Sequence, residues 1–125
     1  MSWSSYIDNL IASGHVEKAA IHGHDGNVWA TSPDFTCSQA EVATLNGAVS
    51  NPETLRTTGI HLNGKKYMFI KADDNVLIGK QGNTGCSVAK CKQCIVIAVY
   101  NDKMQPGACN TATTKIADYL ISSNY

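Results

Sequence analysis

Cys94-Ile95-Val96-Ile97-Ala98-Val99-Tyr100 is near-continuously apolar and rich in β-branched residues. A short run of that kind reads as a central strand covered on both faces. It is far too short to cross a bilayer, which takes roughly 20 apolar residues. Upstream lies a series of shorter strand signals. Gly59–Leu62 and Lys66–Ala72 flank Asn63-Gly64, the strongest short hairpin signal, and Val76–Lys80 and Cys86–Lys90 flank the glycine-rich stretch Gln81–Gly85. Downstream, Pro106-Gly107 turns into a last helix with Ala112, Ile116, Ala117 and Leu120 on its inner stripe.

The first half alternates helices with one strand pair. Ser2 is placed to cap a helix with apolar positions at Trp3, Tyr6, Ile7, Leu10 and Ile11, and Ser13-Gly14 ends it. Ala19–Gly23 and Val28–Thr31 form a hairpin around His24-Asp25-Gly26-Asn27. Ser38 and Glu41 make a capping box for a helix over Gln39 to Val49, and Pro52 at the first helical position starts a short helix closed by Gly59. The expected architecture is α+β: a central antiparallel sheet, terminal helices on one face and shorter helices on the other. At 125 residues the chain forms one domain, residues 1–125, with one core.

Charged residues are 16% of the chain and hydrophobic ones 43%, the composition of a globular protein. A net charge of zero conceals an asymmetry. Residues 1–62 hold two cations against six anions, a balance of −4, and residues 63–125 hold eight lysines against four aspartates, a balance of +4. A lysine-rich half fits either a solvated face or an acidic partner, protein or phosphate. The start, Met1-Ser2-Trp3-Ser4-Ser5, has neither a basic nor an apolar region, and the cysteines number five. Together these imply reduced thiols and a cytoplasmic setting.

Catalytic constellations are absent from the pattern. Cys91-Lys92-Gln93-Cys94 is a single pair, whereas structural zinc needs four ligands, and it lies between strands instead of at a helix N-terminus where a redox thiol is activated. Buried thiols are the expectation for Cys37, Cys86, Cys91, Cys94 and Cys109, with no metal and no cofactor. His22 and His24 read as surface histidines flanking a hairpin. Gly79-Lys80-Gln81-Gly82-Asn83-Thr84-Gly85 lacks both the Gly-Lys-Ser/Thr ending and the following helix of a phosphate loop, so it reads as a hairpin.

The aromatics are more telling. Trp3, Tyr6, Tyr119 and Tyr125 sit near the chain ends, where rings are wasted unless the two terminal helices pack side by side. With Trp29 from an early strand they form a platform apolar in body and polar at the tips. Rings interleaved with lysines would suit single-stranded nucleic acid, the alternative reading. Here the lysines lie elsewhere, which favours a polyproline II peptide over nucleic acid.

Taken together, Trp3-Ser4-Ser5-Tyr6-Ile7-Asp8, Ile21-His22-Gly23-His24-Asp25-Gly26-Asn27-Val28-Trp29, Ile70-Lys71-Ala72-Asp73-Asp74, Gly79-Lys80-Gln81-Gly82, Tyr100-Asn101-Asp102-Lys103-Met104-Gln105-Pro106-Gly107 and Asp118-Tyr119-Leu120 resemble profilin from end to end. The likeness is greatest to the short profilins of amoebae and plants. It implies a monomeric, non-enzymatic actin-binding protein of the cytoplasm and actin-rich cortex. It places a poly-proline groove on Trp3, Tyr6, Asn9, Trp29, Tyr119, Leu120 and Tyr125, for proline-rich proteins such as formins. It places an actin face on Lys71, Lys80, Lys90, Met104, Gln105, Pro106, Gly107, Asn110, Thr111 and Lys115. It also implies binding of phosphatidylinositol bisphosphate, through Lys66, Lys71, Lys80, Lys90 and Lys115.

Overall fold

A computed structural model describes residues 3–32, 35, 37–73 and 75–125. The expected Ser2 cap and Asp74 lie outside the described residues, as does the side chain of Pro106. The elements are α1 (Trp3–Ala12), β1 (Lys18–Gly23), β2 (Val28–Thr31), α2 (Gln39–Ser50), α3 (Glu53–Thr58), β3 (Ile60–Leu62), β4 (Lys65–Asp73), β5 (Val76–Gln81), β6 (Thr84–Lys90), β7 (Cys94–Tyr100) and α4 (Pro106–Ser122). The strands form one antiparallel sheet in the order β2-β1-β7-β6-β5-β4-β3.

β7 is buried along its whole length because both faces are covered. Its side chains alternate strictly: Ile95, Ile97 and Val99 enter the core beneath α2 and α3, while Cys94, Val96, Ala98 and Tyr100 enter the core beneath α1 and α4. α1 lies over β1 and β2, and α4 over β6 and β7. That leaves the β3–β5 end of the sheet without a helix on the α4 side.

The local signals fold as their chemistry requires. Asn63 and Gly64 both take positive φ, 52° and 77°, the geometry of a two-residue I′ hairpin. The Ser38 and Glu41 side chains cap α2 reciprocally, and Glu41 also accepts the main-chain N–H groups of Asn63 and Gly64. One carboxylate thus ties a helix start to a strand turn. Pro52 is the residue before α3, one position earlier than expected, a shift within the ordinary uncertainty of helix ends. The Gln81–Gly85 stretch forms the expected hairpin with a tighter turn, since Gln81 pairs with Thr84 and only Gly82-Asn83 lie between the strands.

The glycines of that segment serve packing. A Cβ on Gly85 would lie 2.6 Å from the Gly79 oxygen and overlap the Tyr100 ring, and one on Gly79 would lie 2.9 Å from Cys86 Sγ. On α4 the inner stripe is Cys109, Thr113, Ala117 and Leu120. Ala112 and Ile116, expected inside, are half-buried and face the neighbouring helix.

A second correction concerns His22, expected at the surface. It is fully buried, because β1 is an inner strand between β2 and β7. Its Nδ1 lies 3.2 Å from the Gly26 carbonyl and so carries the proton that donates to it, while Nε2 has no partner among the described residues. Burial lowers the His22 pKa and keeps the ring neutral. His24 is half-buried, its Nε2 3.1 Å from the carbonyls of both Cys91 and Cys94.

Candidate functional site: an aromatic groove and an open sheet face

α1 and α4 run antiparallel across the sheet, so successive turns of one meet successive turns of the other in reverse order. Trp3 stands 4.7 Å from Trp29 and 4.9 Å, edge-on, from Tyr125, measured between ring centroids. One turn along α1, Tyr6 stands 5.6 Å from Trp3 and 5.9 Å from Tyr119. These separations and tilts suit edge and offset ring contacts. Burial pushes the Tyr6 pKa up, and its hydrogen bond with Tyr119 adds to the effect, so the Tyr6 phenol stays neutral.

Two supports hold the rings. A Cβ on Gly23 would fall 3.0 Å from the Trp29 indole nitrogen, so a glycine there lets the indole settle on the strand. The main-chain oxygen of Tyr125 accepts from the Gln93 and Cys94 N–H groups, and Gln93 Nε2 donates to the Asn124 carbonyl at 2.7 Å. The Cys91–Cys94 turn is therefore the clasp that fixes Tyr125. Both thiols are buried. The S–H···S bond between them raises the Cys91 pKa and lowers that of Cys94. Among the described residues no His/Cys/Asp/Glu group could hold a metal.

The structure sorts the expected groove residues. Trp3, Tyr6, Trp29, Tyr119 and Tyr125 come together, with Tyr119 51% and Tyr125 41% exposed. Leu120 does not join them. It is fully buried, so it is a floor beneath the rings, and its carbonyl accepts from Tyr125 N–H at 2.8 Å. Asn9 lines the continuation of the groove, an open apolar cavity of about 470 Å³ that also takes in Leu10, Ser13, Ala112 and Ile116. Lys115, expected on the actin face, lines the same cavity. Sequence had separated rings from lysines, and at this residue they meet.

The second surface is the helix-free end of the sheet. β4 has a bulge: Phe69 pairs with Gly79 and Lys71 with Ile78, leaving Ile70 as the extra residue. Pairing places Met68, Lys71 and Lys80 on the α4 side of the sheet, all exposed, with Met68 69% and Ile70 46% accessible. Met68 and Ile70 were not singled out from sequence. The signal was there, since Tyr67 and Phe69 point inward and alternation turns Met68 out. The start of α4 supplies half-buried Met104 and Asn110 with exposed Gln105, Gly107 and Thr111.

Lys90 does not share that face. It follows Val88 on the opposite side of β6, and its ammonium reaches the Asn46 carbonyl of α2 at 3.4 Å. Of the remaining cations, Lys66 and Lys80 border a cavity of about 370 Å³ together with Arg56. Arg56 is held 3.1 Å from Glu53 and lies over the Phe69 ring at 5.4 Å.

The whole chain, residues 1–125, matches the family model for profilin. This chain belongs to the profilin family. Profilin-2 of Acanthamoeba castellanii is 44% identical over 126 residues, covering all of both chains. The crystal structure of Acanthamoeba castellanii profilin II superimposes with a TM-score of 0.94 at 44% identity, covering 99% of this chain and 100% of that one. A mouse profilin IIa, solved in complex with a double repeat from the FH1 domain of mDia1, shares the fold with a TM-score of 0.87 at 24% identity over the full length of both. Profilins are non-enzymatic actin-binding proteins of the cytoskeleton, and membership lends the nucleic-acid reading no support. Among the described residues no helix is long and apolar enough to span a membrane.

Proposed function

We propose that this profilin is a bivalent adaptor, one domain acting as a monomer, that holds an actin subunit on the open sheet face and a proline-rich segment in the aromatic groove. The observation that carries the reading is the five-ring cluster. Trp3, Tyr6, Trp29, Tyr119 and Tyr125 meet in tilted and edge-on contacts, half-buried at Trp3, Tyr6 and Trp29 and exposed at Tyr119 and Tyr125, and the indole N–H and phenol O–H groups are the donors such a rim supplies. Proline rings lie flat on such a surface, and the carbonyls of a polyproline II helix, free of internal hydrogen bonds, accept from the rim donors. That helix is already extended, so little entropy is lost on docking. The mouse relative solved with an FH1 repeat supports the same use of this fold.

On the other surface, Met68 and Ile70 supply apolar contact area and Lys71 and Lys80 the charge, beside the first turn of α4. Contact there with the barbed-end face of an actin monomer suppresses nucleation while allowing addition to filament barbed ends. Tethering the proline-rich segment near a growing end raises the local concentration of the bound monomer. The cavity bordered by Arg56, Lys66 and Lys80 is the seat assigned to an inositol phosphate headgroup, which would compete with actin because Lys80 serves both. The place of action is the cytoplasm at the actin cortex.

Titration with a proline decamer tests the groove. Both tryptophans line it, so emission should change saturably with peptide, and an unresponsive spectrum with no retention on a poly-proline column sinks the assignment. The actin face is tested with Lys71→Glu/Lys80→Glu in a pyrene-actin assay. Sequestration should weaken roughly tenfold at low salt and less at high salt. Undiminished sequestration removes both lysines from the face.

A further inference from the structure

The groove does not stop at its last ring. Beyond Tyr6 and Tyr119 the trough between α1 and α4 continues for two more turns, and its walls change character: Leu10, Ala112 and Ile116 are aliphatic, with Asn9 at the edge. From Tyr6 to Ser13 the helix rises about 10 Å, the length of about three residues of polyproline II. On the α4 wall, one turn before Tyr119, stands Lys115, exposed and lining the trough. It makes no ion pair or hydrogen bond among the described residues, and exposed Asp118 one turn along α4 does not engage it.

A wall without rings offers proline nothing to stack on, but an aliphatic trough fits a branched apolar side chain, and an unengaged ammonium attracts a carboxylate. We propose that the trough is a specificity extension of the groove, selecting proline-rich segments flanked within about three residues by a branched apolar residue with an acidic one beside it. The inference rests on the proline-groove reading and adds its selectivity. It also reassigns Lys115 from actin to the peptide. Continuity of the trough with the ring cluster and the single cation among its lining residues together fix the chemistry of the occupant.

The test uses capped peptides, so that the glutamate is the only charge: decaproline alone, decaproline ending in Ala-Leu-Glu or Ala-Leu-Gln, and the mirror series beginning Glu-Leu-Ala or Gln-Leu-Ala. Affinities are read by tryptophan fluorescence at low ionic strength on the intact protein. In one of the two series the acid should bind about threefold more tightly than its amide, the yield of an exposed ion pair. Replacing Leu by Gly in that series should cost about fivefold, for loss of a partly buried side chain. Lys115→Met should erase the acid preference and Lys115→Glu should reverse it. Equal affinity for acid and amide in both series, or a preference that survives Lys115→Met, overturns the proposal. So does Lys115→Glu weakening actin sequestration while the peptide ratio stays unchanged. If decaproline itself fails to bind, it is the groove reading that falls.

Discussion

The two recognition surfaces are built in opposite ways. The aromatic groove draws residues 3, 6, 29, 119 and 125 into one stack, each ring partly covered by its neighbours. The open sheet face is made largely from one hairpin, β4 and β5, whose side chains are neighbours in the chain and bare of any helix. A surface gathered from distant segments is preformed and shaped, so it recognises by fit and stacking. A surface taken from one hairpin is broad and shallow, so it relies on area and charge. The contrast suits a rigid, narrow peptide on one side and a large protein on the other.

The broadest way to break the contrast is to remove what both surfaces share. Ile97 sits fully buried in β7, the strand between the two cores. Ile97→Ala should lower unfolding free energy by about 2–5 kcal/mol in urea denaturation, with both binding activities falling only as the folded fraction falls. Selective loss of one activity in the still-folded variant would show that the cores are not coupled through β7. A sharper cut separates the surfaces. Trp3 touches Tyr6, Trp29 and Tyr125, so Trp3→Ala should reduce decaproline affinity at least about tenfold by fluorescence or column retention, leaving actin sequestration nearly intact. Undiminished retention would mean the rings are structural only.

The smallest effect is one of pH. Burial lifts the pKa values of Cys37 and Tyr67 to about 12 and that of Cys109 to about 11, so the folded state keeps protons that the unfolded chain has lost. Their contribution is intact below the ordinary thiol value of 9.0 and is lost as pH rises through 11 to 12. His22 acts with the opposite sign. Its lowered pKa means the unfolded chain binds a proton first, so stability falls as pH drops below the ordinary 6.5. Urea midpoints should therefore hold a plateau between those limits, and His22→Gln should flatten the acid slope whatever it does to the plateau height. An unchanged slope would assign acid sensitivity to other groups.

What the sequence revealed and what it withheld follow one line. β7, the Asn63-Gly64 turn and the capping box at Ser38 were legible because each is written in adjacent residues. The ring cluster was legible because bulky aromatics near both chain ends have few other uses. The differences at His22 and Lys90 depend on what lies across the sheet. His22 looked exposed because only strand order reveals that β1 is an inner strand. Lys90 matches Lys71 and Lys80 in residue type, but strand pairing turns it to the α2 side. Leu120, which the resemblance places in the groove, lies one helical step beyond Tyr119 and points inward. The bulge at Ile70, which aims an extra apolar side chain outward, has no composition signal at all.

The clasp on Tyr125 by the Gln93 and Cys94 N–H groups carries one more consequence. It joins positions close to opposite limits of the chain's contact range, since Tyr125 in turn meets Trp3. Contacts of such long sequence separation bear the greatest loop-closure entropy and tend to be made late in folding. Both indoles report from this place. A refolding trace followed by tryptophan emission therefore times the closing of the ring, whereas amide circular dichroism times the sheet, and the lag between them is a direct clock for the groove.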